Sequence, residues 1–155
     1  MSYDKKIIGN QEWCAFPELG IPAIKARIDS GAKTSSIHAF NISAYVKNDI
    51  DWVSFEVHPV KRNDEILIRC ECPIVDIRDV KSSSGTSETR YVISTPMSLG
   101  GSVWDAELTL SDRDAMGYRM LLGREAMNGR LVIDPSMKCV LGKLSTKKIN
   151  KFYNV

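Results

Sequence analysis

Ile24-Lys25-Ala26-Arg27-Ile28-Asp29-Ser30-Gly31-Ala32 is the stretch that decides how this chain is read. Apolar and polar residues alternate from Ile24 to Ile28, the period-two pattern of a strand. Asp29 then stands at the strand end, on a turn made from a small serine and a glycine. Gly31 allows close backbone approach and a positive φ. Ser30 can hydrogen-bond backbone and hold the loop in shape. Two such loops face to face would make a carboxylate dyad. Two carboxylates in contact cannot both ionise, so they share a proton and titrate as a coupled pair. Such a pair can add water to a peptide bond with neither a metal nor a covalent nucleophile.

Asp-Ser-Gly also occurs in ordinary turns, so a second element is needed. Met120-Leu121-Leu122-Gly123-Arg124-Glu125-Ala126-Met127 lies about ninety residues downstream. It reads as an apolar strand running into Gly-Arg and a single helical turn. In order and spacing the two elements resemble the signature of retropepsin-like aspartic proteases. Ala23 to Ala39 is similar to one bacterial (RimB-like) branch of that family, formerly labelled ATP-dependent zinc proteases. Val80-Lys81-Ser82-Ser83-Ser84-Gly85, Arg90-Tyr91-Val92-Ile93, Leu108-Thr109-Leu110-Ser111-Asp112-Arg113 and Leu131-Val132-Ile133-Asp134-Pro135 resemble the same branch. The similarity runs from about Ile8 to about Gly142.

The resemblance implies an all-β, retropepsin-like closed β-barrel with a flap hairpin and one short C-terminal helix. It would occupy residues 1–142, with 143–155 as a basic C-terminal tail. One Asp-Ser-Gly per chain supplies half a dyad, so a homodimer is implied, with one Asp29 from each subunit at a two-fold axis. Asp29, Ser30 and Gly31 would then be catalytic. Ala32, Lys33, Ser84, Gly85, Arg90 and Arg113 would bind substrate. Thr34, Gly123, Arg124 and Glu125 would support the site. The branch is associated with an ATP-grasp enzyme that adds glutamates to a ribosomal protein. This implies an acidic, polyglutamylated peptide substrate and a functional link to that ligase.

Two positions depart from viral retropepsins. Lys33 stands where those enzymes commonly have aspartate, and a cation beside the cleft favours acidic side chains. Glu125 stands where they have aspartate or asparagine. Lys33 either meets substrate or pairs with Glu125, which would leave Arg124 free. Arg90, Arg113 and Arg78 can add positive charge, since arginine grips carboxylates bidentately. His38 is expected to be structural. Lys81 to Ser87 is either a mobile surface turn or the flap, whose glycine tip and backbone amides would hold an extended substrate.

Composition narrows the rest. A chain of 155 residues, 43% apolar, suits one domain with a modest core. A net charge of +2 does not argue for nucleic acid, and no apolar run approaches a membrane span. No signal peptide is read at the N-terminus, so the cytoplasm is expected. The four cysteines are expected to be reduced and mostly buried. Cys70 and Cys72 should point to opposite or offset neighbours. With two histidines and no Cys-x-x-Cys or His-Glu-x-x-His, neither a metal nor a cofactor is expected. Two rival readings stay open: a cationic β-barrel that binds acidic tails or single-stranded nucleic acid without cutting them, and a metal-dependent hydrolase using Asp29 and His38.

Elsewhere, Val53, Phe55 and Val57 alternate with polar residues as in a half-buried strand. Gly100-Gly101 signals a hairpin turn. Pro73 allows one bent strand or two short ones. The end from Lys143, with four lysines, is expected to be solvated or partly ordered.

Overall fold

Period-two patterning governs most of this chain, and its strands follow the pattern. The computed structural model describes residues 5–61, 63–81, 84–112 and 117–155. The strands are β1 (Lys6–Ile8), β2 (Gln11–Phe16), β3 (Ile21–Ile28), β4 (Ser35–His38), β5 (Phe40–Lys47) and β6 (Ile50–Val57). They continue with β7 (Ile68–Pro73), β8 (Asp76–Lys81), β9 (Ser87–Leu99), β10 (Ser102–Ser111), β11 (Met120–Leu122) and β12 (Leu131–Ile133). Helices are short: α1 (Arg124–Met127) and α2 (Thr146–Phe152).

The main sheet closes on itself. Its order is β10-β4-β11-β3-β2-β9, with β9 pairing back to β10 and β8 attached outside β9. This is the closed barrel that the resemblance implies. Phe16, Ile21, Ile24, Ile37, Ile93, Met97, Leu108 and Leu122 fill it and are almost fully buried. Each such side chain contributes about 1.5–3 kcal/mol of burial. A second sheet, β5-β6-β7, covers one side with Val53, Phe55 and Val57 buried. Gly100 and Gly101 turn β9 into β10 with φ of 60° and 83°, the double left-handed turn that matches strand twist. β7 ends on Pro73 and β8 starts at Asp76, so the proline divides two strands.

Three details differ from the sequence reading. First, the end of the chain is docked. Ile149 of α2 is buried, and the Tyr153 hydroxyl hydrogen-bonds the backbone of Ala23. Ile149 and Tyr153 are one helical turn apart, so a short amphipathic face suffices. Second, Cys70 and Cys72 share one face of β7, as residues i and i+2 of a strand must. Both are free, with Cys14 and Cys70 buried and Cys72 and Cys139 half-buried. Burial raises the thiols of Cys14 and Cys70 to about 12. Third, Glu12 is fully buried among the inward residues of β2.

Glu12 is satisfied by backbone alone. Its Oε2 accepts from the amides of Gly9 at 2.7 Å and Val140 at 2.8 Å, and its Oε1 from Leu141 at 3.1 Å. Charge-assisted bonds of this kind are about twice as strong as neutral ones. They bind the 137–142 segment to the barrel. Glu12→Ala would strand three donors, each worth about 1–3 kcal/mol when left unsatisfied. A loss of at least ~3 kcal/mol in urea denaturation is expected, with Glu12→Gln intermediate. A Glu12→Ala chain as stable as the parent would show that the contact carries no weight.

Candidate active site

β3 ends at Ile28 and the chain returns as β4 at Ser35, yet these strands are not neighbours. β11 lies between them, parallel to β3 and antiparallel to β4. The loop 29–34 therefore arches over the end of β11. Backbone bonds fasten it there. The Asp29 amide donates to the Leu122 carbonyl at 2.9 Å. The Arg124 amide donates to Ala32 at 2.7 Å, and the Glu125 amide to Lys33 at 3.0 Å. The Gly123 amide donates to Ser35 Oγ at 2.9 Å, inside the protein.

The carboxylate is aimed by its own loop. The Gly31 amide donates to Asp29 Oδ1 at 3.1 Å. Gly31 does not use the positive φ expected of it; its φ is not among the left-handed ones. Its value is space, since a Cβ there would sit 3.3 Å from Asp29 Oδ1. Ser30 acts through its carbonyl, which accepts from Arg124 Nη1 at 3.2 Å. Arg124 is therefore engaged rather than free. Lys33 does reach Glu125, at 3.7 Å, but its side chain is 71% exposed and lines the same cleft as Asp29. Pairing with Glu125 and facing the cleft are thus compatible.

That cleft encloses about 830 Å³ between the Asp29 loop and the β8–β9 hairpin. Gly85 stands at the hairpin tip, with Ser84 Oγ and Thr86 Oγ1 3.2 Å apart beside it. Neither Ser84 nor Gly85 lines the cleft, whereas Arg78, Asp79, Val80 and Lys81 of β8 do. Arg113 lies outside the described residues, as do Ser82 and Ser83. Among the described residues the charged lining is Lys33, Arg78, Lys81, Arg90 and Arg119 against Asp29 and Asp79.

Arg78 and Arg90 are direct cross-strand partners. Like charges facing each other destabilise a strand pair, and here each guanidinium has its own carboxylate. Arg90 meets Glu88 at 3.1 Å. Arg78 meets Asp76 at 2.6 Å and Glu107 at 3.0 Å, and reaches Thr34 Oγ1 at 3.5 Å. Its hydrogen bond holds the Asp76 carboxyl below the ordinary range. Arg78 thereby ties the hairpin to the Asp29 loop. His38, also in the lining, is held at both nitrogens. Arg119 Nη1 lies 3.2 Å from Nδ1, which must accept, so Nε2 donates to the Asp112 carbonyl at 3.0 Å. Sequence reasoning missed Arg119 and Ser35; one precedes β11, the other follows the motif, and only topology joins them. Among the described residues no cluster of three or more His, Cys, Asp or Glu could hold a metal ion.

A family model described as retropepsin-like aspartic endopeptidase RimB matches residues 7–143. The chain belongs to the RimB-like family. Curated relatives include a Desulfotalea psychrophila protein, 61% identical over 155 residues, and a Shewanella pealeana protein, 55% identical over 155 residues. A Parasynechococcus marenigrum protein is 52% identical over 149 residues. Each is named "Probable alpha-L-glutamate ligase". The matches cover 99%, 100% and 96% of this chain but 33%, 34% and 32% of those proteins, so the chain spans about a third of their length. Among solved structures, a Legionella pneumophila protein of unknown function matches with a TM-score of 0.73 and 26% identity. That match covers 88% of this chain and 98% of the other.

The RimB-like site leaves no room at Gly123. A Cβ there would lie 2.6 Å from the Thr34 carbonyl carbon and 2.9 Å from the Ser35 amide nitrogen. Both are backbone atoms, so the loop and β11 would have to part. Gly123→Ala is expected to cost about 1–3 kcal/mol as overpacking. Calorimetry should show a melting point lower by roughly 2–12 °C. An unchanged melting point would mean that the arch yields freely.

Proposed function

We propose that this chain is a metal-independent aspartic endopeptidase, active as a homodimer, that hydrolyses acidic peptides. The intended substrate is a polyglutamate tail added after translation to a ribosomal protein. One observation carries the reading: the Asp29 carboxylate opens into a cleft whose other charged walls are mostly cationic. A carboxylate gains nothing in a groove that only holds acidic ligands, but it can activate water in one that cuts them.

In this mechanism the two-fold brings Asp29 against the partner's Asp29, and the pair holds one proton. The ionised carboxylate takes a proton from the water between them while the water oxygen attacks the scissile carbonyl. The protonated carboxyl gives its proton to the carbonyl oxygen. Collapse of the tetrahedral intermediate breaks the C–N bond and returns a proton to the leaving amine. The Gly31 amide holds Asp29 in orientation throughout. Lys33, Arg78 and Arg90 receive substrate carboxylates, and the hairpin covers the bound peptide.

The relatives support the glutamate part of the reading. A region similar to this chain occurs within longer proteins whose names speak of α-glutamyl ligation. Removal of glutamates beside their addition makes a reversible modification, and the link to a ligase follows. The cytoplasm, where four free cysteines stay reduced, is the proposed location.

The decisive experiment incubates purified protein with a glutamate oligomer and reads products by mass spectrometry. Asp29→Asn, nearly isosteric but unable to act as base, should abolish cleavage and leave the dimer intact in sedimentation. EDTA should have no effect, and activity per subunit should fall on dilution through dimer dissociation. Turnover by Asp29→Asn, or by a monomer, would remove the dyad. Tight binding without cleavage by the parent chain would favour the binding-module reading.

Specificity can be tested separately. Arg90→Met should raise KM for an acidic oligomer by roughly 10-fold, about 1.4 kcal/mol. A neutral peptide should be little affected. Added salt should weaken acidic substrates, because screening acts on partly exposed charge. Equal cutting of neutral and acidic peptides, with no salt effect, would sink the cationic-cleft idea and spare the dyad.

A further inference from the structure

A second hollow of about 270 Å³ shares Tyr118 and Arg119 with the wall of the Asp29 cleft. Among the described residues, the charged ones around this hollow are Lys25, Lys61 and Arg119, with no carboxylate. Lys25 is partly fixed, with its Nζ 5.3 Å from the centre of the Trp13 ring, which also lines the hollow. Arg119 is fixed more firmly. Its side chain is 14% exposed and held by His38 at 3.2 Å and Asp64 at 3.7 Å. Cations held in place lose less freedom when a ligand binds.

Distance gives the hollow a meaning. Lys25 precedes Asp29 by four positions on β3, roughly 13 Å at ~3.3 Å per strand residue. An extended peptide covers about the same length per residue. A peptide cut at Asp29 and lying alongside β3 would reach the hollow about four residues from the scissile bond. We propose that this hollow is an outer subsite that takes side-chain carboxylates of a long acidic peptide, through Lys25, Lys61 and Arg119. The inference rests on the reading of Asp29 as the point of cleavage. Its consequence is a preference for length: a short acidic peptide fills only the inner cleft, while a long one is held at both places. The wall shared at Tyr118 and Arg119, and a described charged lining made of cations, favour an acidic peptide as the occupant.

The test uses the full-length Asp29→Asn chain, so that binding is read without turnover. Glutamate oligomers of about three and about ten residues are titrated, with Trp13 emission as the local signal and Trp13→Phe as its control. The longer oligomer should perturb Trp13 and bind at least tenfold tighter than the shorter one. Lys25→Met with Lys61→Met should remove that advantage and leave the short oligomer's affinity unchanged. A Trp13 signal that never responds, or a length advantage that survives both substitutions, would overturn the subsite. A stronger Trp13 response to oligouridylate than to glutamate would also overturn it, in favour of single-stranded nucleic acid. Cleavage by the parent chain distinguishes the two readings. Cutting with no length preference removes the subsite alone; a length-dependent Trp13 response without cutting removes the peptidase and keeps the subsite.

Discussion

The loop from Asp29 to Thr34 must arch over the end of β11, because β11 occupies the place between β3 and β4. That crossing is the constraint on which the site depends. It brings two segments about ninety residues apart into contact and fastens them with hydrogen bonds from backbone amides to the carbonyls of Leu122, Ala32 and Lys33 and to Ser35 Oγ. The approach is so close that Gly123 can have no side chain. Asp29 is therefore positioned by the strands beneath it rather than by a loose surface turn. Support of this kind fixes where the carboxylate points, since sites held by rigid elements keep their geometry.

The charge of the cleft is arranged under the same discipline. Arg78 and Arg90 face each other across β8 and β9, which would repel if left bare. Asp76, Glu107 and Glu88 neutralise them from the sides and hold the guanidiniums in fixed forks. An incoming carboxylate would find donors already oriented. The contact from Arg78 to Thr34 makes the hairpin and the Asp29 loop one mechanical unit.

What could be read from the sequence was what repeats locally or comes in adjacent residues. Val53, Phe55 and Val57 announced a strand by alternation, and Gly100-Gly101 announced the turn between two others, β9 and β10. Asp29-Ser30-Gly31-Ala32 and Leu122-Gly123-Arg124 were legible because they are the two sides of one contact. Glu12 was not, since a lone glutamate in an alternating strand looks like an outward residue. Its partners are backbone amides, which have no sequence identity. Arg119 and Ser35 were invisible for a related reason: their roles come from register and topology. α2 is seven residues long and shows a single apolar pair, too little for a helical period to emerge. At Gly31 the general habit of glycine suggested a left-handed φ, whereas the loop needed only an absent Cβ.

Two of the three amides that satisfy Glu12 come from residues 128 and 129 positions later; Gly9 alone is near in sequence. Ala23 likewise waits 130 positions for Tyr153. During synthesis the first strands therefore emerge with a half-satisfied carboxylate and a backbone edge that lacks its partner. At about 5–20 residues per second, that interval is on the order of ten seconds. These contacts close only after Val140, Leu141 and Tyr153 have left the ribosome. The early strands are exposed to chaperones, and to mispairing, for as long as the far end is missing.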